Sequence, residues 1–328
     1  MGRAPQWILC FILIELLLNL GDAILDGRKL LTTNDVTHPD FISIDCGESY
    51  EYTDPQTGIS YHTDTGFVET GKNFMVAPEW RYVLDFRYFG RQLQTLRSFP
   101  EGKRNCYTLK PKQGKNNNYL IRAFFSYGNY DGKNETRAFD LYLGVNHWTN
   151  VIPGAGYVYR EIIHTPTTDT IQVCLVKTGK GIPFISTLEL RPLGNSIYQT
   201  PSPSLLVLDT RTDVGSIQLT REVFSRFKDD VYDRVWRVDD AVKLEHWQPL
   251  TRPVDIDPGS RNDSYRLPTE VLMSAVQSLN RSSALYFDSD SAWNYSLEKS
   301  FKYYVYFHFV EIEQLPPGQK RHKCNIRI

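Results

Sequence analysis

Two stretches carry the same pattern: Tyr119-Leu120-Ile121-Arg122-Ala123-Phe124-Phe125-Ser126 and Tyr304-Val305-Tyr306-Phe307-His308-Phe309-Val310-Glu311. Each opens on Tyr and is dense in aromatic and branched aliphatic residues, the composition of a buried strand. Each is followed, after a polar Gly-containing stretch, by an alternating run: Phe139-Asp140-Leu141-Tyr142-Leu143 and Cys324-Asn325-Ile326-Arg327-Ile328. With Tyr119 laid on Tyr304, Asp140 falls on Asn325 and Leu143 on Ile328 without a gap. Self-similarity at so long a period predicts two copies of one domain, with the chain stopping inside the second.

The chain has 328 residues, enough for two domains of ordinary size. A net charge of −1 with both signs interspersed gives no nucleic-acid surface and no anionic-membrane surface. Aromatics make up 13% of the chain. Such loading suits strands, where rings pack across neighbours, and it suits sugars, whose apolar C–H faces lie on rings.

Residues 1–23 read as a secretory signal peptide. Arg3 gives the positive start, Trp7 to Leu20 the apolar run, and Gly21-Asp22-Ala23 the small residues of a cleavage site. The run is shorter than the ~20 apolar residues of a membrane span, and no later stretch of that kind occurs. Four N-glycosylation sequons, at Asn134, Asn262, Asn280 and Asn294, agree with export. Cys10 leaves with the signal, so Cys46, Cys106, Cys174 and Cys324 remain, with three possible connectivities. Cys106–Cys174 is the favoured pair, since both lie in strand-like runs of the first copy.

After a polar lead-in over 24–40, strands are expected at 41–46, 81–89, 104–109, 118–126, 137–145, 156–163, 169–176 and 184–191. Gly- and Pro-containing turns separate them, as in an all-β sandwich or jelly roll. The first module spans 41–192, a stiff linker 193–203 and the second module 204–328. In the second, strands are expected at 205–208, 231–238, 284–288, 293–298, 301–312 and 323–328, and a short helix over Thr269 to Gln277.

No nucleophile elbow, phosphate loop, zinc-protease motif or dinucleotide fingerprint occurs. His322 and Cys324 are too few for a metal site, so neither metal nor cofactor is expected. Asp140, Glu161 and Glu189 could stand as paired carboxylates, but alternation points a strand carboxylate to solvent or to a salt bridge, so no catalytic residue is assigned. The loop Tyr127-Gly128-Asn129-Tyr130-Asp131-Gly132 has more to offer. Gly allows close backbone approach, Tyr offers amphipathic rings, and Asn129 and Asp131 can bond hydroxyls. The alternative is a hairpin whose tyrosines cover the sandwich edge. Tyr50, Tyr52, Tyr61 and His62 form a weaker second cluster.

Several motifs resemble one family. They are Ile44-Asp45-Cys46-Gly47, Leu96-Arg97-Ser98-Phe99-Pro100-Glu101-Gly102, the Tyr119–Asp131 stretch, Val173-Cys174 with Lys177-Thr178-Gly179, and Tyr232-Asp233-Arg234 with Trp236. They resemble the malectin-like ectodomain of plant leucine-rich-repeat receptor kinases, over roughly residues 41–328. The resemblance implies two tandem malectin-like β-sandwich modules, the second incomplete, outside the plasma membrane. It implies a non-catalytic module that binds a glycan or cell-wall carbohydrate; the alternative is a peptide ligand or a co-receptor ectodomain. Animal malectin is similar in fold and binds a glucose disaccharide through loop aromatics and an Asp, which implies a binding role for Tyr127 and Tyr130. Family members continue into repeats, a membrane span and a kinase. This chain carries none of the kinase motifs, so it reads as non-enzymatic, truncated and released into the secretory route.

Overall fold

The computed structural model describes residues 40–83, 90–135, 138–154, 156–179, 181–199, 205–208, 210–216, 224–239, 247–252, 264–279, 302–310, 312, 316 and 318. The signal and most of the lead-in therefore lie outside the described residues, as do the strands expected at 284–288, 293–298 and 323–328. Residues 38–328 form one compact unit.

The unit is all-β. Its first strands are β1 (Ile42–Asp45), β2 (Tyr52–Thr53), β3 (Ser60–Thr63), β4 (Lys72–Met75), β5 (Thr95–Ser98), β6 (Arg104–Leu109) and β7 (Tyr119–Ser126). Then come β8 (Phe139–Leu143), β9 (Asn146–Val151), β10 (Tyr157–His164), β11 (Ile171–Val176), β12 (Phe184–Ile185) and β13 (Thr187–Pro192). The later part of the chain adds β14 (Leu206–Val207), β15 (Thr212–Val214), β16 (Phe224–Arg226), β17 (Val235–Asp239), β18 (Trp247–Thr251) and β19 (Ser274–Ser278).

A seven-stranded sheet, ordered β14-β10-β7-β13-β1-β3-β2, and a four-stranded sheet, ordered β6-β11-β8-β9, supply most of the sandwich core. Ile44, Ile121, Ala123, Phe125, Leu188 and Leu190 of the first share one buried cluster with Tyr107, Leu109, Phe139, Leu141, Val173 and Leu175 of the second. A smaller sheet, β12-β5-β4, adds Leu96 and Phe184 to that cluster. Cys106 and Cys174, directly opposed across β6 and β11, are joined by a disulfide.

β7 explains the arrangement. All eight of its residues are buried. Tyr119, Ile121, Ala123 and Phe125 face the sandwich core. Leu120 packs with Ile163, Leu193 and Ile197, while Phe124 packs with Leu93 and Val235. A strand covered on both faces has no solvent-facing row, which is why the sequence reads as an apolar run broken only by Arg122 before its terminal Ser126. Part of the cover on its second face comes from residues more than a hundred positions later in the chain.

Three expectations are corrected. The alternating stretch from Arg81 is helical where it is described: Pro78–Val83 form a short helix, α1. Pro at the first helical position is pre-set for a helix and Glu79 favours the same start, which outweighs alternation. Residues 302–310, part of the strand expected at 301–312, belong to none of the strands given above. Thr269–Leu272 form a helix, α2, but Ser274–Ser278 are β19, paired with β18. No strand is expected at β5, β9, β15, β16 or β18. β9 carries a bulge where Leu141 and Tyr142 meet it, and a bulge breaks the period-2 signal.

Candidate functional site

The loop after β7 is built from its own side chains. Tyr127 is 8% exposed, and its hydroxyl donates to Asp131 Oδ1 at 2.5 Å and accepts from the Glu135 amide at 3.4 Å. The Tyr130 amide donates to the Tyr127 carbonyl, and the Gly132 amide to that of Asn129. Asn129 Oδ1 accepts the Asn134 amide at 2.8 Å. Gly128 sits at φ +44°, and a Cβ there would lie 2.5 Å from Val76. Only Gly meets both demands without displacing Val76.

Tyr130 is partly exposed, with its ring 5.1 Å from Phe74, 5.6 Å from Tyr127 and 5.7 Å from Phe184. Its hydroxyl and that of Ser98 are 2.8 Å apart. Burial, then the bond to Asp131, pushes the Tyr127 phenol up to about 12. Thus the four residues singled out in the sequence do come together. Tyr127 lies beneath as a support, while Asn129, Tyr130 and Asp131 keep some surface. Asn134 is exposed at the end of this loop. The sequons at Asn262, Asn280 and Asn294 lie outside the described residues.

The second cluster divides. Tyr61 is buried and Tyr50 exposed. Tyr52 stacks on Tyr61 at 5.5 Å, and the Arg91 guanidinium lies 3.6 Å from the Tyr52 ring centre. Beneath it, Asp45 accepts hydrogen bonds from Tyr52 (2.7 Å) and Thr95 (2.8 Å). Burial raises the Asp45 carboxyl to about 7 against those two hydroxyls. His62 instead meets Glu51 at the surface.

Sequence reading missed a buried charge network on the second face of β7. Arg122 Nε lies 3.3 Å from Glu161 and 3.4 Å from Glu189, and its Nη2 donates to the Asp233 carbonyl at 2.5 Å. Arg191 donates to Asp233 Oδ2 at 2.7 Å and meets Glu189 at 3.1 Å. Arg226 binds Asp233 through two nitrogens and meets Glu189 at 3.2 Å. Arg211 closes on Glu161 at 2.7 Å, and the Tyr61 hydroxyl donates to Glu189 at 2.6 Å. Despite burial, the surrounding guanidiniums hold the Asp233 and Glu189 carboxyls below the usual range. Of the three carboxylates considered for catalysis, Glu161 and Glu189 are consumed here. Asp140 is partly exposed, accepting from Asn150 at 2.9 Å. The signal in the sequence is Arg122 inside an otherwise apolar strand; the structure sets it in register with Glu189 and Glu161. The Tyr232-Asp233-Arg234 motif supplied the far partner.

Comparison with known proteins fits this architecture. A family model described as a malectin-like domain matches residues 44–328. A putative leucine-rich repeat receptor-like serine/threonine-protein kinase of Arabidopsis thaliana is 40% identical over 285 residues, covering 86% of this chain and 31% of the relative. A probable LRR receptor-like serine/threonine-protein kinase of the same plant is 41% identical over 289 residues, with the same coverage. The chain thus spans about a third of the length of these relatives. Among solved structures, the ANX2 ectodomain of Arabidopsis thaliana superposes with a TM-score of 0.56 at 18% identity, covering 71% of this chain and 64% of that one. A structure of plant peptide RALF23 in complex with FER and LLG2 matches with a TM-score of 0.53 at 14% identity, covering 73% and 65%. At these identities the likeness is one of fold.

Proposed function

Since this chain belongs to the malectin-like family, we propose that it is the extracellular, non-catalytic recognition part of a plant receptor-like kinase, and that the loop after β7 binds carbohydrate. One observation carries the choice of site. The loop is already held in one conformation by Gly128, the Tyr127–Asp131 bond and the Asn129–Asn134 bond. A pre-ordered loop loses little conformational entropy when a ligand arrives. Tyr130 offers the ring surface for a sugar's C–H face, Asn129 and Asp131 the hydroxyl partners, and Tyr127 the underlying support.

The test is a glycan array with the full secreted chain, its Tyr130→Ala variant and its Tyr127→Phe variant. Saturable binding to a defined oligosaccharide, lost in Tyr130→Ala and weakened in Tyr127→Phe, supports the reading. Binding unchanged in Tyr130→Ala removes this loop from it. The second reading is a peptide or co-receptor ectodomain as ligand. It is motivated by the structural neighbour solved with a peptide and a further protein. Binding to plant cell-surface proteins that survives enzymatic deglycosylation favours that reading. Under both readings the signal peptide directs the chain into the secretory route. Among the described residues, no helix is long and apolar enough to cross a membrane.

A further inference from the structure

The outer face of the four-stranded sheet carries an asymmetric disulfide. Asn105, Tyr107 and Leu109 of β6 are buried, with Tyr107 and Leu109 in the core. Alternation therefore sends Arg104, Cys106 and Thr108 outward, and Cys106 is partly exposed. Val173 and Leu175 of β11 enter the core, so Cys174 shares the outer face with Cys106, yet it is fully buried. Its other neighbour in register is Tyr142 of β8, whose ring lies between the Arg104 guanidinium at 5.1 Å and the His147 ring at 5.2 Å. Cys106 is therefore the more exposed residue of the pair and Cys174 the covered one.

The strands are held by more than the bond. β6 and β11 are in register over six residue pairs, and β11 is held on its far side by four more with β8. We propose that Cys106–Cys174 is a site of reversible thiol–disulfide exchange, entered at Cys106 Sγ by a small or protein-borne dithiol. The attacking thiolate forms a bond to Cys106 Sγ, the Sγ–Sγ bond breaks, and Cys174 leaves as a thiolate that takes up a proton. The second thiolate of the reductant then attacks its own sulfur in the mixed disulfide. Cys106 is released and protonated, and the dithiol is oxidised to a disulfide. Two electrons pass to the protein, and the reverse sequence closes the bond.

The experiment uses the intact secreted chain. Brief incubation with glutathione, acid quenching, alkylation and peptide mass mapping should place glutathione on Cys106 and the alkyl group on Cys174, with Cys46 unmodified. Incubation with dithiothreitol without denaturant should give both thiols while far-ultraviolet circular dichroism stays unchanged. Tyr142→Ala, which removes the side chain in register beside Cys174 on β8, should bring adducts at the two sulfurs to comparable yield. Glutathione found mainly on Cys174 of the parent chain overturns the proposal. So does a bond that opens only at denaturant concentrations that also abolish the dichroism.

Discussion

The loop after β7 and the charged face of β7 both gather polar side chains, but they are assembled in different ways. In the loop, the hydroxyl and carboxylate that fix the chain are four residues apart, and every named partner lies between Tyr127 and Glu135 apart from Ser98, Val76 and the packed rings. On the charged face, Arg122 meets Asp233, 111 residues away, and Tyr61 meets Glu189 at a separation of 128. The loop is thus a local construction placed on a finished sandwich. The charge network exists only when segments from across the chain have met. Its members have left water, so each is tolerable only while its partners stay.

Breaking the network should give the largest effect. Asp233→Ala leaves Arg191 and Arg226 buried without their main carboxylate, and should cost about 3–5 kcal/mol in chemical denaturation. By contrast, Asp131→Ala in the loop should cost about 1 kcal/mol, because water can replace the lost acceptor. Equal losses would erase the distinction between the two regions.

Stability should also depend on pH in two opposed ways. Asp45 and Asp213 are buried against hydroxyl partners, and burial raises their carboxyls to about 7 and about 6 from 3.8. Around Asp45, Glu48 adds to the rise and Arg91 opposes it. A raised carboxyl favours folding below its unfolded value, and that contribution is lost as pH rises through 6 to 7. Asp233 and Glu189 are lowered, so theirs is present above the unfolded value and lost as pH falls through the folded one. Stability should therefore peak near pH 4, about the unfolded carboxylate value, and fall by on the order of 2–4 kcal/mol between pH 5 and pH 8. In Asp45→Asn the fall between pH 5 and 8 should shrink; an unchanged pH profile would remove Asp45 from the account.

Gly128→Ala should cost about 1–3 kcal/mol, through the strained φ and the contact with Val76. Its effect on ligand binding should exceed that on unfolding, since the loop changes shape while the sandwich does not. Smallest, Tyr127→Phe removes one hydroxyl and should cost about 1 kcal/mol. A larger loss would mean that the loop supports the sandwich rather than resting on it.

The contrast also explains what could be read from the sequence. Tyr127, Asn129, Tyr130 and Asp131 are legible as a candidate site because their chemistry is contiguous in the chain. β6, β7, β8, β10 and β11 were visible because alternation and turn residues are local signals too. The network was not, since nothing within one strand announces a partner so far away. Leu188-Glu189-Leu190-Arg191 reads as a half-buried strand with a wet face, yet both charged residues are fully buried. Likewise Arg122 reads as an interruption of β7 rather than its point of attachment. The helix at Pro78 and the bulged β9 fell to a different cause: a start signal and an inserted residue each override a period counted along the chain.

The most direct measurement is native-state hydrogen exchange on the parent chain and Asp233→Ala, followed amide by amide in β7. If the network ties the later segment to the sandwich, removing the Asp233 carboxylate should lower protection along Leu120 to Phe124 as much as around Asp233 itself. Faster exchange confined to residues 224–239, with β7 as protected as before, would contradict the claim.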